Sequence, residues 1–265
     1  MKKLAATFII FTFLLGIQNF SNTAYTASKK NELVHTIEYT TKDKFVLQST
    51  LRYPKQKAEK YTLVVLLHSW GLSSKYWDGL PQELLNNGYA ILEVDLRGHG
   101  KSSYLENSKP RSYIYLSKTS IQKMPDDVYQ ILADVYTNYT NLSKKEIIFI
   151  GADVGASVSV FTAKEMKITP TAMVFISPQT QFKGFYMPNA FLELGEVPVL
   201  AVGSKKDAQT IEQVNTIKKY AQGNFSFLKL LNGGPGMMCV TSNDGSASAI
   251  ATWIVQNTPS KKNKT

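Results

Sequence analysis

IIFIGADVGASVSV, residues 147–160, is the stretch whose reading decides the fold. Ile147–Ile150 is an apolar, β-branched run of the kind found in a strand buried on both faces. It climbs into Gly151-Ala152-Asp153-Val154-Gly155 and continues as an apolar helix pattern. A strand that turns into a helix through such a glycine-flanked corner leaves the middle residue on a tight, exposed turn. The N-terminus of the following helix then lies beneath Asp153, where free N–H groups and the helix dipole favour an anion.

The same alternation repeats on both sides of this corner. TLVVLLH (62–68), YAILEVDL (89–96), TAMVFIS (171–177), PVLAVGS (198–204) and FSFLKLL (225–231) are short apolar runs with strand character. Between them, residues 75–88, 126–142, 211–221 and 245–257 carry helical patterns. Gly88 closes the first, and Asp126 and Asp127 sit at the favourable end of the second. Two β-rich runs at the start, 33–41 and 44–54, read as a hairpin. Residues 104–123 are polar and tyrosine-rich and read as loop, and 178–196 as an irregular excursion. Alternation of this kind predicts an α/β fold, with a mostly parallel central sheet and helices on both faces. Ligands in such sheets sit beyond the carboxyl ends of the strands. That singles out the loops HSWG (68–71), RGHG (97–100), GADVG (151–155), GSKKD (203–207) and NGGPG (232–236).

The chain of 265 residues is long enough for one large α/β domain. Lys2 and Lys3 followed by the apolar stretch 4–17 and small residues read as a signal peptide, residues 1–27, cleaved between about Thr23 and Ser28. This predicts a secreted or periplasmic domain over 28–257 with a polar tail at 258–265; an uncleaved N-terminal membrane anchor is the alternative. The lone Cys239 supplies no disulfide framework. Loss of the signal lowers the formal charge from +10 to +8, an excess that suits peripheral contact with an anionic envelope surface. No nucleic-acid motif is present, and no oligomeric state is indicated.

The five loops, in this order, resemble the α/β-hydrolase superfamily, within it the dienelactone-hydrolase-like and esterase-like branch. The similarity runs from about residue 33 to 257 and includes DLRGHGKS (95–102), which resembles the family's D-x-R-G-H-G-x-S strand end. The resemblance implies ester-hydrolase ancestry and assigns positions. Asp153 stands where G-x-S-x-G carries its nucleophilic serine, Asp207 where the triad acid belongs, and Pro235 where the triad histidine belongs. The backbone N–H groups of Trp70 and Val154 take the oxyanion-hole position. His68, Ser69 and Met237 line the cleft, with Ser69 where the family usually has glycine.

Two triad positions therefore depart. Aspartate nucleophiles serve related dehalogenases and epoxide hydrolases, but hydrolysing an aspartyl ester still needs a base to activate water. Proline has no titratable group. His35, His68 and His99 all lie outside the expected loop, the last two in positions that brace backbone in this family. The expectation is a catalytically impaired protein that binds a small acyl- or carboxylate-like ligand, or a partner. The rival is an active hydrolase that attacks with Asp153 or uses a displaced base. Asp207 also fits as a helix cap. Two carboxylates without a histidine make a poor metal site, so neither a metal nor a cofactor is expected. Asp95, Arg97 and Gly98 read as turn architecture. Phe182, Phe185, Tyr186 and Phe191, in the excursion, are candidates to line an apolar pocket.

Overall fold

The computed structural model describes residues 33–105 and 110–258; the segment 1–27 and the tail beyond Thr258 lie outside them. The strands are β1 (Val34–Thr40), β2 (Phe45–Arg52), β3 (Tyr61–Leu67), β4 (Ala90–Val94), β5 (Tyr104–Leu105), β6 (Leu142–Ala152), β7 (Ala172–Ile176), β8 (Gln181–Phe182), β9 (Phe185–Tyr186), β10 (Val199–Ser204) and β11 (Phe225–Leu230). The helices are α1 (Leu80–Asn86), α2 (Lys118–Ile121), α3 (Met124–Asn138), α4 (Val154–Met166), α5 (Met187–Leu192), α6 (Ala208–Tyr220), α7 (Met238–Thr241) and α8 (Ser246–Asn257). The main sheet runs β1-β2-β4-β3-β6-β7-β10-β11, with β5 paired to β2. From β4 to β11 every pairing is parallel, and β1 and β2 form an antiparallel edge.

The continuous apolar runs are explained by burial on both faces. Along β3, Leu63, Val65 and Leu67 enter one core while Val64 and Leu66 enter the other. Along β6, Ile147 and Phe149 face the first and Ile148 and Ile150 the second. The first core is roofed by α3, α4 and α5, the second by α1 and α8. A strand of this kind has no polar face to alternate, which is why period-2 patterning is missing from its sequence.

Two stretches hold more order than a loop reading gives. Residues 104–123 include β5, a single turn at Tyr113–Tyr115 and the short helix α2. The excursion 178–196 contains the β8–β9 hairpin and α5. Neither carries a hydrophobic period long enough to read. The domain also extends through Thr258, whose hydroxyl donates to the Ile254 carbonyl at 2.8 Å and lies 3.1 Å from the Tyr89 hydroxyl.

Candidate functional site: a carboxylate in its own anion hole

Asp153 sits between β6 and α4 with φ 55° and ψ −117°, a left-handed conformation that costs a non-glycine residue strain. Glycine is required on both sides because backbones nearly touch. A Cβ on Gly151 would lie 2.3 Å from the Gly155 carbonyl oxygen, and one on Gly155 2.1 Å from that of Leu67. The corner is thus clamped between its own helix and the end of β3, with the Asp153 N–H donating to the Ile176 carbonyl at 2.9 Å.

The side chain points into the amides that the sequence marks as an oxyanion hole. The Trp70 N–H donates to Asp153 Oδ2 at 3.0 Å. The Val154 N–H and the Gln179 side chain also lower the proton affinity of this carboxylate, and the Gln179 N–H donates to the Asp153 carbonyl at 3.4 Å. Burial nevertheless wins: desolvation pushes the Asp153 carboxyl up to about 6, and the pull of Trp70, Val154 and Gln179 only partly opposes it. Gln179 was not visible as a site residue in the sequence. It lies three residues past β7, outside any motif, and its carbonyl is fixed by the Ser157 hydroxyl at 2.7 Å.

The loop bearing Pro235 does reach this corner. A Cβ on Gly236 would stand 3.4 Å from that of Asp153 and 2.3 Å from Ser69 Oγ. Ser69 Oγ accepts the Met237 N–H at 2.9 Å, tying the loop to the segment after β3. His68, Ser69 and Met237, expected on a cleft wall, are instead buried, with Met237 only 1% exposed and packed in the second core. The reason is hydrogen bonding and volume. His68 Nδ1 faces the Ser69 carbonyl at 2.8 Å and its Nε2 accepts the Leu96 N–H at 3.0 Å, so the ring is spent on bracing backbone.

Asp207 caps α6, accepting the Thr210 N–H at 3.0 Å on Oδ1 and the Thr210 hydroxyl at 2.6 Å on Oδ2. It does not appear among the groups that shift Asp153. Asp95 accepts the N–H groups of Ser74 and Lys101, both at 2.8 Å. Arg97 is fully buried, its Nε and Nη2 on Asp127 at 2.5 and 2.6 Å and its Nη1 on Asp43 at 2.8 Å. Both are turn architecture, as the sequence implies.

An aromatic cluster covers the corner. The Trp70 ring meets His99 at 4.9 Å, Tyr113 at 5.3 Å and Phe182 at 5.1 Å, and His99 stacks on Tyr113 at 4.7 Å. His99 Nδ1 faces the Arg97 carbonyl at 3.0 Å, and Nε2 is buried without a partner among the described residues. Burial, reinforced by neighbouring His68, pulls the His99 ring down to about 3, so it stays neutral. Of the four aromatics proposed for a pocket, only Phe182 reaches this cluster. Phe185 and Phe191 are core, against Phe161 and Phe175, and Tyr186 is exposed. Among the described residues, no group of three or more His, Cys, Asp or Glu side chains is placed to hold a metal ion.

Residues 58–222 match a family model described as serine aminopeptidase, S33. No curated protein sequence matches the chain significantly. Among solved structures, the DcsB complex with its substrate analogue superposes with a TM-score of 0.66 at 14% identity, covering 85% of this chain and 99% of that one. The dienelactone hydrolase of Anabaena variabilis gives 0.60 at 16% identity, covering 83% and 96%. A thermostable carboxyl esterase from Bacillus coagulans, in complex with glycerol, gives 0.63 at 10% identity, covering 85% and 99%. At these identities the likeness shows the fold.

Proposed function

From a chain that belongs to the serine aminopeptidase, S33 family of α/β-hydrolase-fold proteins, we propose a non-hydrolytic member, whose role is to bind an acyl-type ligand or a partner. The observation that carries this reading is the Trp70 N–H held on Asp153 Oδ2 at 3.0 Å. An oxyanion hole works by being empty in the ground state and filling as charge develops on the substrate. Here the protein's own carboxyl takes the Trp70 amide, beside that of Val154, before any substrate arrives. The histidine position is a proline, and the loop that carries it is tied to Ser69 by the Met237 N–H and packs Gly236 against Asp153. The leader-like residues 1–27 extend the proposal to a protein that works after export, secreted or periplasmic.

The test is hydrolysis of short activated esters by the purified protein. The rate should match that of buffer containing an inert protein. Asp153→Ser with Pro235→His should raise it where neither change alone does, because nucleophile and base act as a unit. A robust wild-type turnover that Asp153→Asn abolishes would show instead an enzyme attacking with aspartate.

A further inference from the structure

The rim above the aromatic cluster combines exposed apolar side chains with an excess of positive charge. Ile114 and Tyr115 are 63% and 69% exposed, and Tyr104 is 50% exposed. Backbone contacts link them: Tyr104 bridges to Pro110, and the Arg111 N–H donates to the Ser103 carbonyl at 2.7 Å. Tyr113, in the same turn as Ile114 and Tyr115, stacks on His99 and meets Trp70. The rim is therefore continuous with the Asp153 corner.

Charge is segregated along it. From Lys101 to Lys123 the sequence carries Lys101, Lys109, Arg111, Lys118 and Lys123 against the single acid Glu106. Lys123 is paired with Asp43 at 2.9 Å, whereas Arg111 and Lys118 are exposed. The β8–β9 turn adds Lys183 beside this group. A Cβ on its neighbour Gly184 would lie 2.7 Å from Lys118 Cε, and the Gln122 side chain donates to the Gly184 carbonyl at 3.5 Å.

We propose that this rim docks on an anionic lipid bilayer, with Ile114 and Tyr115 entering the interface and Arg111, Lys118 and Lys183 facing the headgroups. The charge complementarity selects an anionic partner. The apolar side chains select a bilayer over a soluble polyanion, because only an interface offers both a charged surface and a place to bury isoleucine beside amphipathic tyrosine. An exposed isoleucine in the middle of a cationic rim is otherwise left against water.

The experiment is co-sedimentation of the full chain with vesicles of phosphatidylcholine alone or with added phosphatidylglycerol, at low and high salt. The apolar stretch 4–17 would act on both vesicle types and sets the baseline. Binding should be stronger on the anionic vesicles and weaken with salt. The combined variant Arg111→Gln, Lys118→Gln, Lys183→Gln should lose on the order of a hundredfold in that extra affinity. Ile114→Ser with Tyr115→Ser should lose about tenfold. Lys218→Gln with Lys219→Gln, on the exposed side of α6, should change it little. A second readout does not depend on the N-terminal segment: an environment-sensitive fluorophore on Ile114→Cys should shift to the blue on anionic vesicles, and one on Lys218→Cys should not. Equal binding to both vesicle types together with a silent Ile114→Cys probe overturns the proposal. So does equally tight, Ile114-independent binding to soluble polyglutamate.

Discussion

Replacing Asp153 by asparagine isolates the cost of holding a carboxylate where this fold holds it. The carboxyl is lifted from 3.8 to about 6, first by burial and against the pull of the Trp70 and Val154 amides. A raised folded-state value means that the native protein keeps its proton longer than the unfolded chain does. The contribution is therefore fully present below about pH 4 and is lost as pH rises through about 6. Each tenfold change in proton affinity corresponds to about 1.4 kcal/mol, so the wild type should lose on the order of 3 kcal/mol of stability across that window through this one group. The asparagine variant has no proton to lose at this position. Other buried carboxyls with raised values, Glu93 and Asp127 among them, titrate in both proteins and cancel in the difference.

The assay is urea unfolding of both proteins at closely spaced pH values between about 4 and 7. Whatever offset separates them at the acid end, the stability of the wild type relative to Asp153→Asn should fall steadily as pH rises and level off above the folded-state value. Parallel stability curves across the whole window would refute the claim that a desolvated, ionisable carboxylate sits in the hole. A gap moving in the opposite direction would mean that the amides outweigh desolvation, so that Asp153 is held below its ordinary value.

Asp207→Ala should lower stability by about 1 kcal/mol in thermal or urea unfolding, the usual cost of a lost N-cap, and leave ligand binding untouched. A larger effect on binding than on folding would restore Asp207 to the site. Arg97→Met should cost about 3–5 kcal/mol, because it strands the buried Asp127 carboxylate without its partner; a variant of near wild-type stability in urea would show that the Asp43–Arg97–Asp127 cluster is not needed.

The fold was legible because its strands are unusually pure. TLVVLLH and IIFIG leave no reading except burial on both faces, and the glycines flanking Asp153 record backbone contacts that a Cβ would break. Asp153 could be located for the same reason. What it does there could not, since that depends on where one carboxylate points among its neighbours, and neither spacing nor composition encodes a rotamer. Gln179 was missed because it belongs to no pattern; only the return of the chain after β7 brings it to the corner. Ser69 was legible as a departure from glycine, but its consequence is a long-range hydrogen bond to the Met237 N–H, across a separation of 168 residues. The lone aspartate after β10 fitted two roles equally well in sequence, and the Thr210 N–H and hydroxyl decide for the cap.

If the carboxylate of Asp153 truly fills a preformed anion hole, removing it should leave a hole shaped for a carboxylate. Asp153→Gly deletes the CH2–COO⁻ group and nothing else, which is nearly the volume of acetate. It also places glycine at φ 55°, where a side chain is strained, so the variant should fold at least as well as the wild type. The Trp70 and Val154 N–H groups would then face an empty, half-buried space at the start of α4, with the helix dipole behind them. Acetate should enter it and stabilise the variant saturably, by about 1.4 kcal/mol at ten times its dissociation constant, read as a rise in melting temperature. Chloride at equal ionic strength controls for salt, and the wild type controls for binding elsewhere, because its hole is already occupied. Burial in this hole lifts a carboxyl to about 6, so the hole favours the neutral acid, and the stabilisation should grow as pH falls and acetate protonates. An acetate response shared equally by the wild type and Asp153→Gly would place the anion somewhere else. No response from a folded Asp153→Gly would show that the amides relax once the carboxylate is gone, and that Asp153 builds the hole it occupies.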